Sequence, residues 1–271
     1  MSVWQTPSRR LPPTFAQMTR LFFAGPLSAD TTIRLDTEAS HHALRVLRLE
    51  RDDVIELFNG DGLRYPGTLL DTDARAASVK VGSPVQACTE SPLPLSLAQA
   101  LPSGDKMDWV VEKAIELGVH TIAPLMSSRS ILRLDARRTE KRLAHWRRIA
   151  IAACMQCGRD RVPEISAPVD LARWLIDRRR VATGDPDSSR PGFLLSPRGS
   201  TRLCEIARPA SVTPPSATWI LVGPEAGLSE QEESLAIECG WQPLRLGPRI
   251  LRTETAGLAA LAALQARFGD L

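Results

Sequence analysis

The chain has 271 residues, 43% of them hydrophobic and 24% charged, and a formal net charge of +3 at pH 7. That length holds one large or two modest domains with cores of their own, and the composition is that of a folded chain rather than a disordered one. No apolar run approaches the ~18 residues of a membrane span, and five cysteines, an odd number, do not make a disulfide framework, so reduced thiols, no metal site and a cytoplasmic location are expected.

In chain order, residues 1–18 carry Arg9 and Arg10, three prolines and no acid. Without the apolar core of a secretory signal they are expected to be a flexible leader, or sequence ahead of a true start at Met18. Residues 19–88 read as a small β unit, with apolar or alternating runs at Leu21–Phe23, Val54–Phe58, Tyr65–Leu70 and Ala77–Val81. Between two of them, Asn59-Gly60-Asp61-Gly62 predicts a hairpin, because both glycines accept positive φ. The Gly-x-Gly within it is not a phosphate loop, since a strand follows rather than a helix. A short helix over Glu38–Leu47, capped by Asp36 or Thr37, carries His41, His42, Arg45 and Arg48. Histidines on such a helix are more often structural or surface groups than catalytic ones.

Thr89–Pro94 is polar and proline-punctuated and reads as a linker. Beyond it, over residues 95–271, strands and helices alternate, the pattern of a parallel α/β sheet. Strands are expected at Leu95–Ala100, Val119–Leu125, Gly192–Leu195, Thr218–Val222 and Pro243–Leu246. Helices are expected at Asp105–Leu117, with Trp109, Val110, Lys113, Ala114 and Leu117 on one face, and at Thr139–Met155 and Leu171–Arg178. Asp170 caps the last of these, Ser229 with Glu232 forms a capping box for another, and Thr253–Phe268 is alanine-rich and helical. Arg180–Arg190 is a polar loop. Cys154 and Cys157 stand close together, but no second pair of ligands matches them, so packed thiols are the better reading.

Between Arg129 and Arg161, ten basic residues face three acids. A charge run is usually a solvated face; this imbalance exceeds what solvation requires and suits a polyanionic partner, which guanidinium groups grip bidentately. The Walker loop, the dinucleotide Gly-x-Gly-x-x-Gly, His-Glu-x-x-His and Gly-x-Ser-x-Gly are all missing from the sequence. What remains are three late loops, each following an apolar strand: Ser196-Pro197-Arg198-Gly199, Gly223-Pro224-Glu225-Ala226-Gly227-Leu228-Ser229, and Gly247-Pro248-Arg249-Ile250-Leu251-Arg252-Thr253-Glu254. Glycine-bearing loops at strand carboxyl ends are where α/β proteins bind compact ligands.

With His41–Leu49, Val111–Val119 and Ile151–Arg159, the last two loops carry a resemblance. The chain from Arg20 onward resembles the bacterial small-subunit ribosomal RNA (uracil-N3) methyltransferases of the RsmE type, within the SPOUT class. The resemblance implies a PUA-like β-barrel that holds RNA, then an α/β domain whose late loops form a trefoil knot around S-adenosylmethionine. It implies a homodimer acting on the 16S rRNA of the small ribosomal subunit, and no membrane. Donor contacts are implied at Leu195, Ser196 and Gly199; at Leu221, Val222, Gly223, Pro224 and Gly227; and at Leu246, Gly247, Ile250, Leu251 and Arg252. One departure stands out: the family reads Gly-Pro-Glu-Gly-Gly where this chain has Ala226, which costs about 1 kcal/mol if that position needs positive φ.

Uracil N3 is a weak acid, so methylation requires loss of its proton or stabilisation of its anion. Arg252 is placed to stabilise the uracil oxygens, and Glu254 or Glu225 to take the proton or to orient Arg252. For Glu254, near a helix N-terminus, a structural salt bridge or cap is an equal reading. RNA contacts are expected from Arg129, Arg138, Arg142, Arg148 and Arg159, with Arg45 and Arg48 of the first unit. The same features also admit a non-catalytic RNA-binding or ribosome-assembly factor, or a knotted methyltransferase acting on tRNA or ribose.

Overall fold

A computed structural model describes residues 18–86, 89–131, 135–182, 192–206 and 218–271. The leader, Cys88, Arg133 and most of the Arg180–Arg190 loop lie outside the described residues. The chain divides into two compact units, Met1–Cys88 and Thr89–Leu271.

The first unit contains β1 (Arg20–Phe22), β2 (Thr32–Arg34), α1 (Thr37–His41), β3 (Val54–Phe58), β4 (Tyr65–Leu69) and β5 (Ser78–Val81), in one sheet ordered β1-β3-β4-β5-β2. The expected hairpin joins β3 to β4, with Leu57 opposite Tyr65. Gly60 and Gly62 take φ of 93° and 91°, and the side chains of Asn59 and Asp61 accept from the backbone N–H of Asp61 and Leu63 at 3.1 and 2.7 Å. Asp36 caps α1 by accepting from Ala39 N at 2.7 Å. The helix then loosens into a π-helical turn, His42–Val46, rather than continuing as an α-helix to Leu47. Leu21, Ile55, Leu57, Leu69, Val79 and Val81 form the core. Glu56, on a buried position of β3, is neutralised by Arg20 and by Arg64, the latter at 3.3 Å.

The second unit runs β6 (Leu95–Ala100), α2 (Lys106–Glu116), β7 (Thr121–Met126), α3 (Ala136–Cys157), β8 (Glu164–Ile165), β9 (Val169–Asp170), α4 (Leu171–Ala182), β10 (Gly192–Leu195), β11 (Thr201–Arg202), β12 (Thr218–Val222), α5 (Glu230–Glu238), β13 (Gln242–Arg245) and α6 (Thr253–Phe268). Its strands pair in the order β11-β13-β10-β12-β6-β7-β8, with β9 also on β7, and every pairing is parallel. Parallel strands covered on both faces read as continuous apolar runs, and all six residues of β6 are buried. The apolar stripe of α2 is Met107, Val110, Val111, Ala114 and Ile115. Trp109, expected on that stripe, is instead 53% exposed with the Lys113 ammonium over its ring at 5.1 Å. The two make an outward i,i+4 pair, one step around the helix from the buried face. Left-handed glycines close α2 and α3, Gly118 at φ 77° and Gly158 at φ 85°.

Behind the sheet, Trp174 packs on Trp219 and Trp241 at ring separations of 5.3 and 5.7 Å. The Arg178 guanidinium covers Trp219 at 4.2 Å, and burial lowers its pKa. The segment read as a linker is packed into this unit. Glu90 accepts from Arg159 at 2.7 and 3.1 Å, Ser91 donates to Gln265 at 2.8 Å, and Leu93 is buried.

Candidate active site

Strand order decides which loops meet. Because β13, β10, β12 and β6 are neighbours and all point the same way, the loops at their carboxyl ends share one edge of the sheet. They line a cleft of about 520 Å³, within the usual range for a small-molecule site.

Of the residues expected around a donor, Leu195, Ser196, Val222, Gly223, Pro224, Gly227, Leu246, Gly247, Ile250, Leu251 and Arg252 line this cleft. Leu221 and Gly199 do not. Leu221 points into the core and is fully buried. Gly199 lies against β13, where a Cβ would sit 2.9 Å from the Leu244 carbonyl carbon, so its lack of a side chain serves packing. Gly227 takes φ 69°, and its N–H donates to Pro224 O at 2.9 Å, closing a turn. Ala226 has no positive φ; the left-handed position of this loop is 227. The penalty anticipated for alanine at 226 therefore does not arise.

Neighbouring elements fasten these loops. Thr253, the first residue of α6, donates its hydroxyl to Gly223 O at 2.5 Å and accepts from Gln99 Nε2 at 2.9 Å. Arg129 donates to the carbonyls of Ala226 and Leu228, each at 3.2 Å; although expected at RNA, it is also a clamp on the loop. Glu232 completes the capping box with Ser229 and accepts from Ser128 N at 2.7 Å and Ser128 Oγ at 2.9 Å, tying the β7 loop to α5. Burial would raise its pKa, but hydrogen bonds from Ser128 and Ser229 outweigh this and hold it below the ordinary value.

The candidate catalytic groups sit in one cleft with different surroundings. Arg252 is exposed, and its guanidinium has no hydrogen-bond or ion-pair partner among the described residues. Glu225 is held through one oxygen: Oε1 accepts from Ser103 N at 2.9 Å, Ser103 Oγ at 2.6 Å and Lys106 Nζ at 2.8 Å. Burial opposes its ionisation, yet those bonds, led by Lys106, hold its pKa at about 2. A carboxylate held so low is a poor proton acceptor, so the role of base does not fit Glu225. Glu254 differs. Its side chain is 14% exposed, Lys106 Nζ lies 3.8 Å from Oε2, and that oxygen is buried without a hydrogen bond among the described residues.

Lys106 is one of several cleft residues that sequence reading missed, with Glu233, Arg245 and Arg249 among the others. Its only signal was a lysine opening the helix after the first strand of a parallel sheet, behind Gly104. Among the other expected RNA contacts, Arg45, Arg48, Arg138 and Arg148 are exposed, and Arg142 pairs with Asp105 at 3.3 Å. Arg159 points inward. It is 5% exposed and donates to Glu90 and to the carbonyls of Ile115 and Val119 at 3.1 and 2.8 Å, which leaves no face for a phosphate.

Residues 89–265 match the family model of the RNA methyltransferase domain, and residues 35–82 that of the RNA methyltransferase PUA domain. The ribosomal RNA small subunit methyltransferase E of Bacillus subtilis (strain 168) is 31% identical over 236 residues, covering 86% of this chain and 89% of that protein. Its counterpart in Buchnera aphidicola subsp. Schizaphis graminum (strain Sg) is 31% identical over 252 residues, covering 93% and 97%. Among solved structures, a ribosomal RNA small subunit methyltransferase E from Neisseria gonorrhoeae bound to S-adenosyl methionine superposes with a TM-score of 0.83 at 38% identity, covering 94% of this chain and 99% of that one.

Proposed function

The chain belongs to the ribosomal RNA small subunit methyltransferase E family, and we propose that it transfers a methyl group from S-adenosylmethionine to N3 of a uridine in 16S rRNA. One observation carries this reading: the three glycine-bearing loops converge on a single cleft that also holds an unpaired arginine and an incompletely neutralised glutamate. The residues present fit the donor. Leu195, Val222, Leu246 and Leu251 offer an apolar wall, while Gly227 and Gly247 leave open space where a Cβ would project. The carboxylates of Glu225 and Glu254 suit a cation. When bound, the donor supplies a methyl group already activated on a positively charged sulfur.

The protein's own work is then positioning and charge. Arg252, without a partner among the described residues, is available to bind the uracil oxygens and stabilise the anion formed when N3 loses its proton. Glu254 accepts that proton on a carboxylate oxygen. Glu225, engaged through Oε1, holds the loop after β12 against the loop after β6.

The late loops are proposed to thread as a trefoil knot, a rare exception to unthreaded chains. Support comes from β13: last in the chain, it pairs between β11 and β10, which precede it and are joined to each other. Homodimerisation and a cytoplasmic location rest on the resemblance; among the described residues no helix is long and apolar enough to cross a membrane. The exposed arginines of α3 are proposed to hold RNA phosphates. Neutralising Arg138, Arg142 and Arg148 together then weakens RNA binding and reduces its log–log salt slope by about 2; unchanged affinity and slope would remove α3 from the interface.

The decisive experiment incubates the protein and labelled donor with small subunits from a strain lacking the gene, then maps the label by nuclease digestion and mass spectrometry. One methyl on uridine N3, reduced about a hundredfold in rate by Arg252→Ala, is the expected result. Failure to bind S-adenosylmethionine or S-adenosylhomocysteine in calorimetry would replace this reading with a non-catalytic RNA-binding factor.

A further inference from the structure

Lys106 stands where a cation is not favoured. It is the first residue of α2, and the positive end of a helix dipole disfavours an ammonium there. Its chain neighbour Asp105 does not compensate for this, because its carboxylate is 82% exposed and turned to Arg142 of α3. The ammonium instead reaches into the cleft, 2.8 Å from Glu225 and 3.8 Å from Glu254. The two contacts are unequal. Glu225 also takes both the N–H and the hydroxyl of Ser103, so Ser103, Glu225 and Lys106 form a fixed unit. Glu254 receives charge without a hydrogen bond, and among the described residues its buried Oε2 has no other donor. The remaining charged groups lining the cleft are Glu233, Arg245, Arg249 and Arg252, and Glu233 is paired with Arg198 at 2.9 Å.

We infer that Lys106 is a positioning residue for the proton acceptor: held in place by Glu225 and Ser103, it fixes where the Glu254 carboxylate sits in the cleft without itself touching the substrate. The inference rests on the reading of Glu254 as acceptor. In the step concerned, the N3–H bond breaks, its electron pair stays on nitrogen and the proton passes to a Glu254 oxygen. Lys106 keeps all its protons throughout. The ammonium 3.8 Å from Oε2 attracts the carboxylate to one placement, so removing Lys106 releases Glu254 from that placement and lowers kcat rather than donor affinity.

The test measures kcat and KM on small subunits for the wild type, Lys106→Met, Lys106→Arg and Glu254→Gln. S-adenosylhomocysteine binding by calorimetry reports an intact cleft. Lys106→Met is expected to bind that product within about threefold of wild type and to keep KM within about threefold, while kcat falls about tenfold. Lys106→Arg, which keeps the charge, restores most of kcat. Wild-type kcat from Lys106→Met, or a loss that Lys106→Arg does not rescue, while Glu254→Gln is inactive, would overturn the inference alone. Wild-type rates from Glu254→Gln would overturn the acceptor reading itself, and this inference with it.

Discussion

Thr253→Val tests whether the donor loop is held from beneath. Valine keeps the shape of threonine but not its hydroxyl, and Thr253 is 6% exposed, so water cannot readily take the place of the lost groups. Two hydrogen bonds go, one to Gly223 O and one from Gln99 Nε2. Gln99 is fully buried, its Oε1 already has no partner among the described residues, and its remaining bond there is to Ala100 O. Flipping its amide would set oxygen against that carbonyl, so the side chain has no better alternative. With about 1 kcal/mol for each neutral bond, and part of the desolvation penalty of the unpaired carbonyl and N–H added, the expected loss is about 2–3 kcal/mol. Urea unfolding should show this as a lower midpoint with unchanged slope. Calorimetry should show donor affinity weakened about tenfold, because the Gly223 carbonyl is released; that factor corresponds to about 1.4 kcal/mol. Combining Gln99→Leu with Thr253→Val removes the orphaned amide, so the double variant should lose less than the sum of the singles by about 1 kcal/mol. A Thr253→Val protein within about 0.5 kcal/mol of wild type, with unaltered donor affinity, would refute the claim that this hydroxyl fastens the loop.

Ala226→Gly should leave stability and donor affinity within about 0.5 kcal/mol of wild type, since position 226 has no positive φ, whereas Gly227→Ala should cost about 1 kcal/mol in urea unfolding. Arg159→Met should destabilise by about 3 kcal/mol by stripping Glu90 and two carbonyls of their donor, and it should leave the salt slope of RNA binding unchanged. Glu225 has a folded pKa of about 2 against 4.5 ordinarily, so its contribution is complete above pH 4.5 and is lost as pH falls through 2. Because the side chain is 32% exposed, the contribution is discounted for solvent screening to about 1 kcal/mol. Glu225→Gln should flatten that part of the stability profile by the same amount.

Where local chemistry decided the structure, the sequence was readable. The helix Thr253–Phe268, the Ser229–Glu232 capping box, the Asp170 cap and the Asn59–Gly62 hairpin all depend on residues a few positions apart. The three glycine loops were legible for the same reason, each following an apolar strand. What escaped depended on distant partners. Nothing beside Arg159 shows that it will turn inward to Glu90, 69 residues earlier. Nothing beside Lys106 shows Glu225 and Glu254, because only the strand order β13-β10-β12-β6 brings their loops together. The two-residue strands β8, β9 and β11 are too short to carry a period. Trp109 was assigned to the buried face because an aromatic at helical spacing reads as core, whereas a lysine one turn on kept it outside.

The indole triad behind the sheet gives the protein an optical handle of its own. Trp219 sits on β12, four residues before Gly223, and stacks edge-on with Trp174 beneath a buried guanidinium. Indole emission responds to nearby charge and to packing, so a strain or release in the donor loop is transmitted to a chromophore at the base of its own strand. Ligand occupancy of the cleft thus becomes readable as a change in native fluorescence, in stopped flow and without a label. Trp219→Phe would identify how much of that signal comes from this one ring.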